Sequence, residues 1–303
     1  MQLGMIGLGK MGANMTERLV RGGHEVIGYD RNPEAVERVV EIGAGAAASL
    51  EDLVAQLESP RHVWVMVPAG DPTNSTLLAL AGLLGAGCTV IDGGNSNYKD
   101  TMRMAATLAA EGIQLLDVGT SGGIWGLTEG YSMMVGGDEA SVERLRPVFE
   151  TLAPSPTTGW GHMGPVGSGH FVKMIHNGIE YGIMQSYAEG FAILHDKEEF
   201  GLDLAQIGRV WQHGSVVRSW LLDLSVEALE ENPTMDGIAP YVPDSGEGRW
   251  TVAEAIDLNV AAPVITMALM GRIGSRDEVE FSHRVLSAMR GKFGGHAVKQ
   301  EGS

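Results

Sequence analysis

The sequence predicts an α/β domain with an open parallel sheet over residues 1–163, followed by a smaller all-α domain over 164–303. Three observations carry that prediction. Short apolar runs alternate with amphipathic segments of helix length through the first half, the pattern of strands joined by crossover helices. A glycine-rich hexapeptide stands between the first apolar run and the first helix. Near Gly161 the alternation stops, and GWGHMGPVGSG reads as a hinge into segments of helical period only.

Residues 3–6 read as a buried strand, Lys10–Arg21 as a helix and Glu25–Tyr29 as a second strand. Between the first two lies Gly7-Leu8-Gly9-Lys10-Met11-Gly12, a G-x-G-x-x-G sequence. Its glycines permit a tight turn, close approach to a pyrophosphate and close packing of helix on strand. The helix N-terminus then offers unpaired N–H groups to phosphates. Alone, the hexapeptide is a weak signal in a chain with 43 glycines. Its place between strand and helix, with an acidic residue closing the next strand, makes a Rossmann-type dinucleotide site the expectation.

That acidic residue is Asp30, 18 positions beyond Gly12, where a carboxylate binds the adenosine ribose hydroxyls. A carboxylate there repels a 2′-phosphate, which favours NAD. Arg31 beside it can pair with such a phosphate, which leaves NADP use open. The plainer role for Asp30, within DRNP, is to open a turn and cap the helix after Pro33.

Further strands are expected at residues 62–67, at Thr89–Asp92 and at 114–118. They run into Val67-Pro68-Ala69, Gly93-Gly94-Asn95-Ser96 and Gly119-Thr120-Ser121-Gly122-Gly123. Ligands of an open parallel sheet bind outside the carboxyl ends of its strands. Val67, Pro68 and Ala69 are therefore expected on the cofactor side, and Asn95, Ser121, Gly122 and Gly123 at the active edge. Simple turn chemistry is the alternative for each loop. Residues 131–135 and 156–158 add strands, with an amphipathic helix Glu139–Leu152 between them.

The stretch 164–194 reads as one long helix. Lys173, His176, Asn177, Glu180 and Tyr181 fall at i, i+3, i+4, i+7 and i+8 and share an arc of about 140°. Val172, Met174, Ile175, Ile179 and Ile183 lie elsewhere on it and can pack. A solvated face carries many charges of both signs; this one carries one Lys, one Glu and three hydrogen-bonding groups of different kinds. It reads as a site, against the alternative of a buried structural network. Later helices are expected at 203–211, 217–228, 251–258, 262–269 and 278–289, and by composition the end, RGKFGGHAVKQEGS, reads as a frayed tail.

Composition narrows the partners. A net charge of −17 argues against nucleic acid or an anionic membrane surface, though a local basic pocket can still take an anionic substrate. Cys88 is the single cysteine, which rules out an intrachain disulfide and a cysteine metal cluster and fits a reducing compartment. No metal-ligand cluster is recognised. No signal peptide is apparent, and the longest apolar run, residues 260–270, contains Pro263 and is too short to span a bilayer. A soluble, cytoplasmic protein is expected.

The combination of GLGKMGANM at 7–15, DGGNSNYKDT at 92–101, SGG at 121–123 and GSGHFVKMIHNGIEYG at 167–182 resembles 6-phosphogluconate dehydrogenase, within the β-hydroxyacid dehydrogenase superfamily. Weaker matches at VRSW (217–220), GRWT (248–251) and RGKFGGH (290–296) extend the resemblance over nearly the whole chain. The fingerprint, the SGG and the helix lysine with its Asn are shared across the superfamily, whereas DGGNS and K-x-x-H-N-x-x-E-Y are specific to the phosphogluconate branch. The chain looks like the short, often NAD-preferring form; long members carry a much larger helical domain.

The resemblance implies Lys173 as general base and Glu180 as general acid. It implies Asn95, Ser121, Gly122, Gly123, His176 and Asn177 around the sugar acid's carboxylate and hydroxyls, and Tyr181 with Arg218 at its phosphate. Arg290 and His296 match a family pair carried by a tail that reaches a neighbouring subunit, which implies a homodimer or homotetramer. One departure stands out. In DSGEGRWT, Ser245 and Glu247 replace a Lys and a Ser/Thr near the phosphate, and a carboxylate is unfavourable there.

The implied chemistry is oxidative β-decarboxylation of 6-phosphogluconate to ribulose 5-phosphate. Lys173 must be neutral to accept the 3-hydroxyl proton, which demands desolvation or nearby positive charge. Lys173 and Glu180 are separated by about 10 Å along a helix axis, so two long side chains can address different carbons of one substrate. Two rivals share the cofactor: a dehydrogenase of an unphosphorylated acid such as 3-hydroxyisobutyrate, and a catalytically silent NAD-binding protein.

Overall fold

A computed structural model describes residues 1–276 together with Ser282, Val285 and Met289. The chain forms two compact units, Met1–Gly178 and Ile179–Ser303. Among the described residues no helix is long and apolar enough to cross a membrane.

The first unit is built on an eight-stranded sheet of β1 (Gln2–Ile6), β2 (Glu25–Tyr29), β3 (Gly45–Ala46), β4 (His62–Val65), β5 (Thr89–Asp92), β6 (Gln114–Ser121), β7 (Ser132–Gly136) and β8 (Trp160–Gly164). The spatial order is β3-β2-β1-β4-β5-β6-β7-β8. The first six run parallel in the Rossmann order, β7 pairs antiparallel with β6, and β8 is parallel to β7. The order reverses between β1 and β4, which opens a ligand crevice at their carboxyl ends.

Helices cover both faces, so alternate strand residues enter different cores. Leu3, Met5, Trp64 and Leu116 pack with α1 (Lys10–Arg21), α2 (Pro33–Glu41) and α7 (Glu139–Leu152). Ile6, Val63, Val65 and Val90 pack with α3 (Leu50–Gln56), α4 (Asp71–Leu83) and α5 (Tyr98–Ala110). Burial of each such side chain stabilises the unit by about 1.5–3 kcal/mol. His62, at the start of β4, is buried with them and its Nδ1 has no hydrogen-bond partner among the described residues. Burial first, and the Arg144 charge second, hold its pKa below the ordinary value.

The long helix, α8 (Ser168–Asp196), runs from the first unit into the second. Its start is tied to β6 by Asp117, whose fully buried carboxylate accepts N–H bonds from Gly167 (2.7 Å) and His170 (2.8 Å). Close approach to the sheet is what makes Gly119 and Gly169 necessary. A Cβ at Gly119 lies 2.2 Å from Lys173 Cβ, and one at Gly169 lies 2.4 Å from the Met134 carbonyl oxygen. His170 Nδ1 meets Thr101 Oγ1 of α5 at 2.8 Å, and Phe171 stacks edge-on against Tyr98.

The second unit packs the later part of α8 with α9 (Leu204–Gln212) and α10 (Trp220–Glu231) around Phe191, Leu222, Val226 and Leu229. It also holds α11 (Glu247–Asp257) and α12 (Pro263–Gly274). These four correspond to the expected helices at 203–211, 217–228, 251–258 and 262–269. Of the helix expected at 278–289, the described residues Ser282, Val285 and Met289 are helical, and the rest lies outside the described residues.

Several expectations are corrected. β6 does not stop at residue 118: antiparallel pairing with β7 carries it through Gly119 and Thr120 to Ser121, opposite Ser132. β4 ends at Val65, before Pro68, which has no N–H to give a ladder. Residues 156–158 are not a strand but part of a turn closed by a Ser155–Thr158 bridge. The strand comes just after, as β8, inside the stretch expected to be the hinge; pairing with β7 holds a glycine-rich segment that has no strand signature of its own. On α8 the inward and outward faces differ from expectation too. Lys173 and Asn177 are buried at 5% and 9% exposure, whereas Ile179 and Ile183 stand at 50% and 39%.

Two consequences can be measured. Gly119→Ala should destabilise the chain by about 1–3 kcal/mol through overpacking against the Lys173 side chain, and urea unfolding reads the loss. Because folded His62 holds its proton less tightly than the unfolded chain, the unfolded state binds more protons as pH falls from 7 toward 5, and stability declines. His62→Gln should flatten that decline in urea melts; an unchanged slope would remove His62 as its source.

Candidate active site

The fingerprint loop is shaped for a backbone-to-ligand contact. Gly7 has φ +90°, and a Cβ there lies 2.4 Å from the Met66 carbonyl oxygen. A Cβ at Gly12 lies 1.9 Å from the Gly7 carbonyl oxygen. Gly9 is different: a Cβ would meet nothing within 4 Å, so internal packing does not require glycine there. An incoming group does, and the second glycine of the motif is where a pyrophosphate approaches. The N-terminus of α1 has neither a side-chain cap nor an acidic residue in its first turn, which leaves its N–H groups and dipole for an anion. These features fit a dinucleotide.

Leu8 belongs to this site through its main chain alone. Its side chain is fully buried, and its N–H donates to Asp30 Oδ2 at 2.6 Å. Asp30 Oδ1 accepts the Asn32 N–H at 2.8 Å, so Asp30 does open a turn; Asn32, however, is the residue that caps α2, accepting from Glu34 N–H at 3.1 Å. The carboxylate is thereby fixed at the carboxyl end of β2, beside the fingerprint, where it repels a 2′-phosphate. Lys10 and Arg31 are exposed and Met11 is half-buried. Val67 is half-buried after β4, with Pro68 and Ala69 exposed beyond it.

The neighbouring strand ends supply the other loops. Asn95 is exposed after β5, while Asn97 caps α5 by accepting the Lys99 N–H at 2.9 Å. Ser121 closes β6, followed by Gly122 and Gly123, whose φ angles of +123° and +50° suit glycine.

Lys173 stands against Gly119 of β6, near the carboxyl end of that strand. Its Nζ donates to Asn177 Oδ1 at 2.6 Å and lies 3.4 Å from His176 Nδ1, which in turn is 3.1 Å from the same amide oxygen. The spacing i, i+3, i+4 makes this triangle a property of the helix itself. An amine held by an amide oxygen and an imidazole, at the edge where a dinucleotide sheet opens, is positioned to exchange a proton with a bound hydroxyl.

In the second unit α8 continues with Glu180, half-buried, and Tyr181, buried. The Arg272 guanidinium lies 3.6 Å from the Tyr181 ring centroid. Gly248 of α11 abuts the ring, since a Cβ there would come within 2.5 Å of it. The loop before α11 is held by its own charges. Asp244 Oδ1 and Oδ2 accept from Arg249 (2.9 and 3.1 Å), and Oδ2 accepts from Arg276 at 2.6 Å. The Arg249 bonds, with help from Arg276, keep its carboxyl below the usual carboxylate range. Buried Glu247 accepts the Ser245 hydroxyl. The segment in which the sequence shows a departure from the long enzymes thus forms the wall beside Tyr181.

Arg218 is exposed and lines an open groove of about 510 Å³ with Ile179, Gly182, Ile183 and Val264. Tyr181 is two residues from both Ile179 and Ile183, so it points about 160° away round the helix. Within one chain, Tyr181 and Arg218 therefore occupy different sides of α8. Arg290 and His296 lie outside the described residues. Sequence reasoning missed Asp117 and Arg272; a lone Arg within the otherwise apolar PVITMALMGRIG was the available signal for the second.

Comparison with known proteins agrees with this fold. A family model described as the NAD binding domain of 6-phosphogluconate dehydrogenase matches residues 2–164, and one described as the C-terminal domain of the same enzyme matches 169–291. The NAD(+)-dependent, decarboxylating 6-phosphogluconate dehydrogenase of Haloferax volcanii is 43% identical over 302 residues, covering 99% of each chain. The Plasmodium falciparum 6-phosphogluconate dehydrogenase, solved in its apo form and in complex with its cofactor NADP+ and its substrate 6-phosphogluconate, superposes with TM-score 0.83 at 25% identity. That match covers 100% of this chain and 67% of that one. The fold alone is shared with Mycobacterium tuberculosis 3-hydroxyisobutyrate dehydrogenase, at TM-score 0.72, 24% identity, 88% of this chain and 90% of that one. By its sequence over its full length and by its fold, the chain belongs to the 6-phosphogluconate dehydrogenase family.

Proposed function

We propose that this protein converts 6-phospho-D-gluconate to D-ribulose 5-phosphate and CO2 with reduction of NAD, as a cytoplasmic enzyme of the pentose phosphate pathway and of gluconate utilisation. The observation that carries this reading is the buried Lys173 amine, bonded to Asn177 at the carboxyl edge of a dinucleotide-binding sheet. In this reading residues 1–163 serve the dinucleotide, and 164–303 serve the sugar acid and self-association.

Lys173 accepts the proton of the 3-hydroxyl as the C3–H bond breaks. The fingerprint loop 7–12 and Asp30 would hold NAD, which would supply the hydride acceptor for C3. The 3-keto acid that results loses its carboxyl group as CO2, and the bonding pair flows toward the new carbonyl to form an enediol. Lys173, now protonated, supports the negative charge that develops on that oxygen. Glu180, about two turns further along α8, protonates the carbon that becomes C1 of the ketose. Asn95, Ser121, Gly122, Gly123, His176 and Asn177 hold the carboxylate and hydroxyls, and Tyr181 contacts the phosphate.

Self-association completes the phosphate end. Arg218 faces away from Tyr181 of its own chain, and together with Arg290 and His296 it serves the site of a neighbouring copy. Support comes from the apolar surface of the second unit, where Ile179, Val264 and Met267 are 50%, 64% and 68% exposed. A homodimer or homotetramer covers that surface.

Release of CO2 and NADH from 6-phosphogluconate tests the activity directly, with plain gluconate and 3-hydroxyisobutyrate as controls; faster turnover of either control would overturn the substrate assignment. Lys173→Met should lower kcat by at least about a thousandfold, as loss of a general base does, while NAD still binds; wild-type-like turnover would remove Lys173 from the mechanism. Asp30→Ser should shift the ratio of kcat/KM for NAD over NADP toward NADP by about tenfold, the worth of one charge interaction. Steady-state kinetics with both dinucleotides reads that shift.

A further inference from the structure

Thr101 and His170 are polar residues buried to 1% and 2% exposure, and neither has a part in the chemistry above. Both belong to the first unit, and they meet where α5 packs against the start of α8. His170 Nδ1 lies 2.8 Å from Thr101 Oγ1, and the Thr101 hydroxyl reaches the Asn97 carbonyl, one turn back, at 3.3 Å. With the hydroxyl proton directed to Asn97, the imidazole carries a proton on Nδ1 and donates it to Thr101. The other tautomer would put an N–H on Nε2, which is buried without a partner among the described residues. A buried N–H is the less tolerated orphan, so the network itself assigns the tautomer.

The two helices meet here with little slack. A Cβ at Gly167 would come within 2.8 Å of Met102 Cγ, and Phe171 meets Tyr98 edge-on with ring centroids 5.2 Å apart. Those packing contacts set how close α5 and α8 come. The His170–Thr101 bond is directional, and it sets how the one is turned against the other. Two functional groups depend on that relation. Asn97 caps α5, and Asn95 stands two residues before it in the same loop. Lys173 is one turn beyond His170 on α8. The bond therefore ties the loop that carries Asn95 to the helix that carries Lys173.

We infer that His170 is a positioning residue: through Thr101 it fixes the Asn95 loop against Lys173, so that a hydroxyl held by the loop meets the amine in the geometry that hydride loss requires. The inference rests on the functional reading above, which gives Asn95 a substrate contact and Lys173 the proton. His170 and Thr101 act without touching the substrate. A misplacement of about 1 Å between reacting groups can cost about a hundredfold in rate, so one buried bond between the two elements is enough to matter.

The test measures the rate constant of NADH formation in a single turnover of 6-phosphogluconate, alongside calorimetric NAD binding and urea unfolding. Substrate deuterated at C3 shows that the step observed is hydride transfer. Thr101→Val removes the hydroxyl at nearly constant volume and should lower that rate constant about tenfold or more, with Kd for NAD within about threefold. Thr101→Ser restores the hydroxyl and should restore the rate. A merely structural bond would shift the unfolding midpoint and the amplitude, which counts folded molecules, but not the rate constant. An unchanged rate constant in Thr101→Val would overturn the inference. Should that variant fail to fold, His170→Asn, which keeps an amide near the place of Nδ1, is compared with His170→Gln, which carries it toward Nε2. The Asn variant should stay within about threefold of wild type and the Gln variant lose about tenfold; equal rates in the two would overturn the inference. A wild-type protein that neither binds nor oxidises 6-phosphogluconate would instead defeat the functional reading, and the same variants assayed with the acid it does oxidise would still decide the role of His170.

Discussion

A single buried carboxylate holds the arrangement together. Asp117, in the middle of β6, accepts the Gly167 and His170 N–H groups at the start of α8. Removing a carboxylate from water is costly unless its oxygens are satisfied, and the first turn of a helix offers unpaired N–H groups that need an acceptor. Each solves the other's problem, with bonds roughly twice as strong as neutral ones. The result is a long helix whose rotation and height on the sheet are set at its first turn. Lys173, His176 and Asn177, in the same unit as that turn, inherit their positions from it.

The rotation explains why the polar face turns inward. With Gly169 and Gly119 allowing backbone-to-backbone proximity, the residues at 173 and 177 are carried toward the sheet and buried. A buried lysine on a helix would ordinarily be a liability. Here the Asn177 amide oxygen and the His176 ring, one turn away, receive it. Beyond this point, in the second unit, Ile179 and Ile183 are exposed.

The segment leading into α11 is organised by its own charges. Asp244 binds both Arg249 and Arg276, Ser245 donates to buried Glu247 at the first position of α11, and the Arg272 guanidinium lies over the Tyr181 ring. The sign of the region depends on the whole cluster, not on the residue at any one position.

Much of this was legible in the sequence because it depends on local rules. The fingerprint between a strand and a helix, Asp30 at the end of β2, the β/α alternation and the i, i+3, i+4 pattern of Lys173, His176 and Asn177 all follow from backbone geometry over short spans. What the tertiary structure decided involves partners distant in the chain. β6 is long because β7 pairs with it, and β8 exists because β7 offers an edge to a glycine-rich segment. Asp117 caps a helix that begins fifty residues later, and Arg272 meets Tyr181 across a separation that no periodicity encodes. Local sequence determined which motifs the chain carries; long-range packing, acting through burial and charge satisfaction, decided which face of α8 turns inward and which arginine stacks on Tyr181.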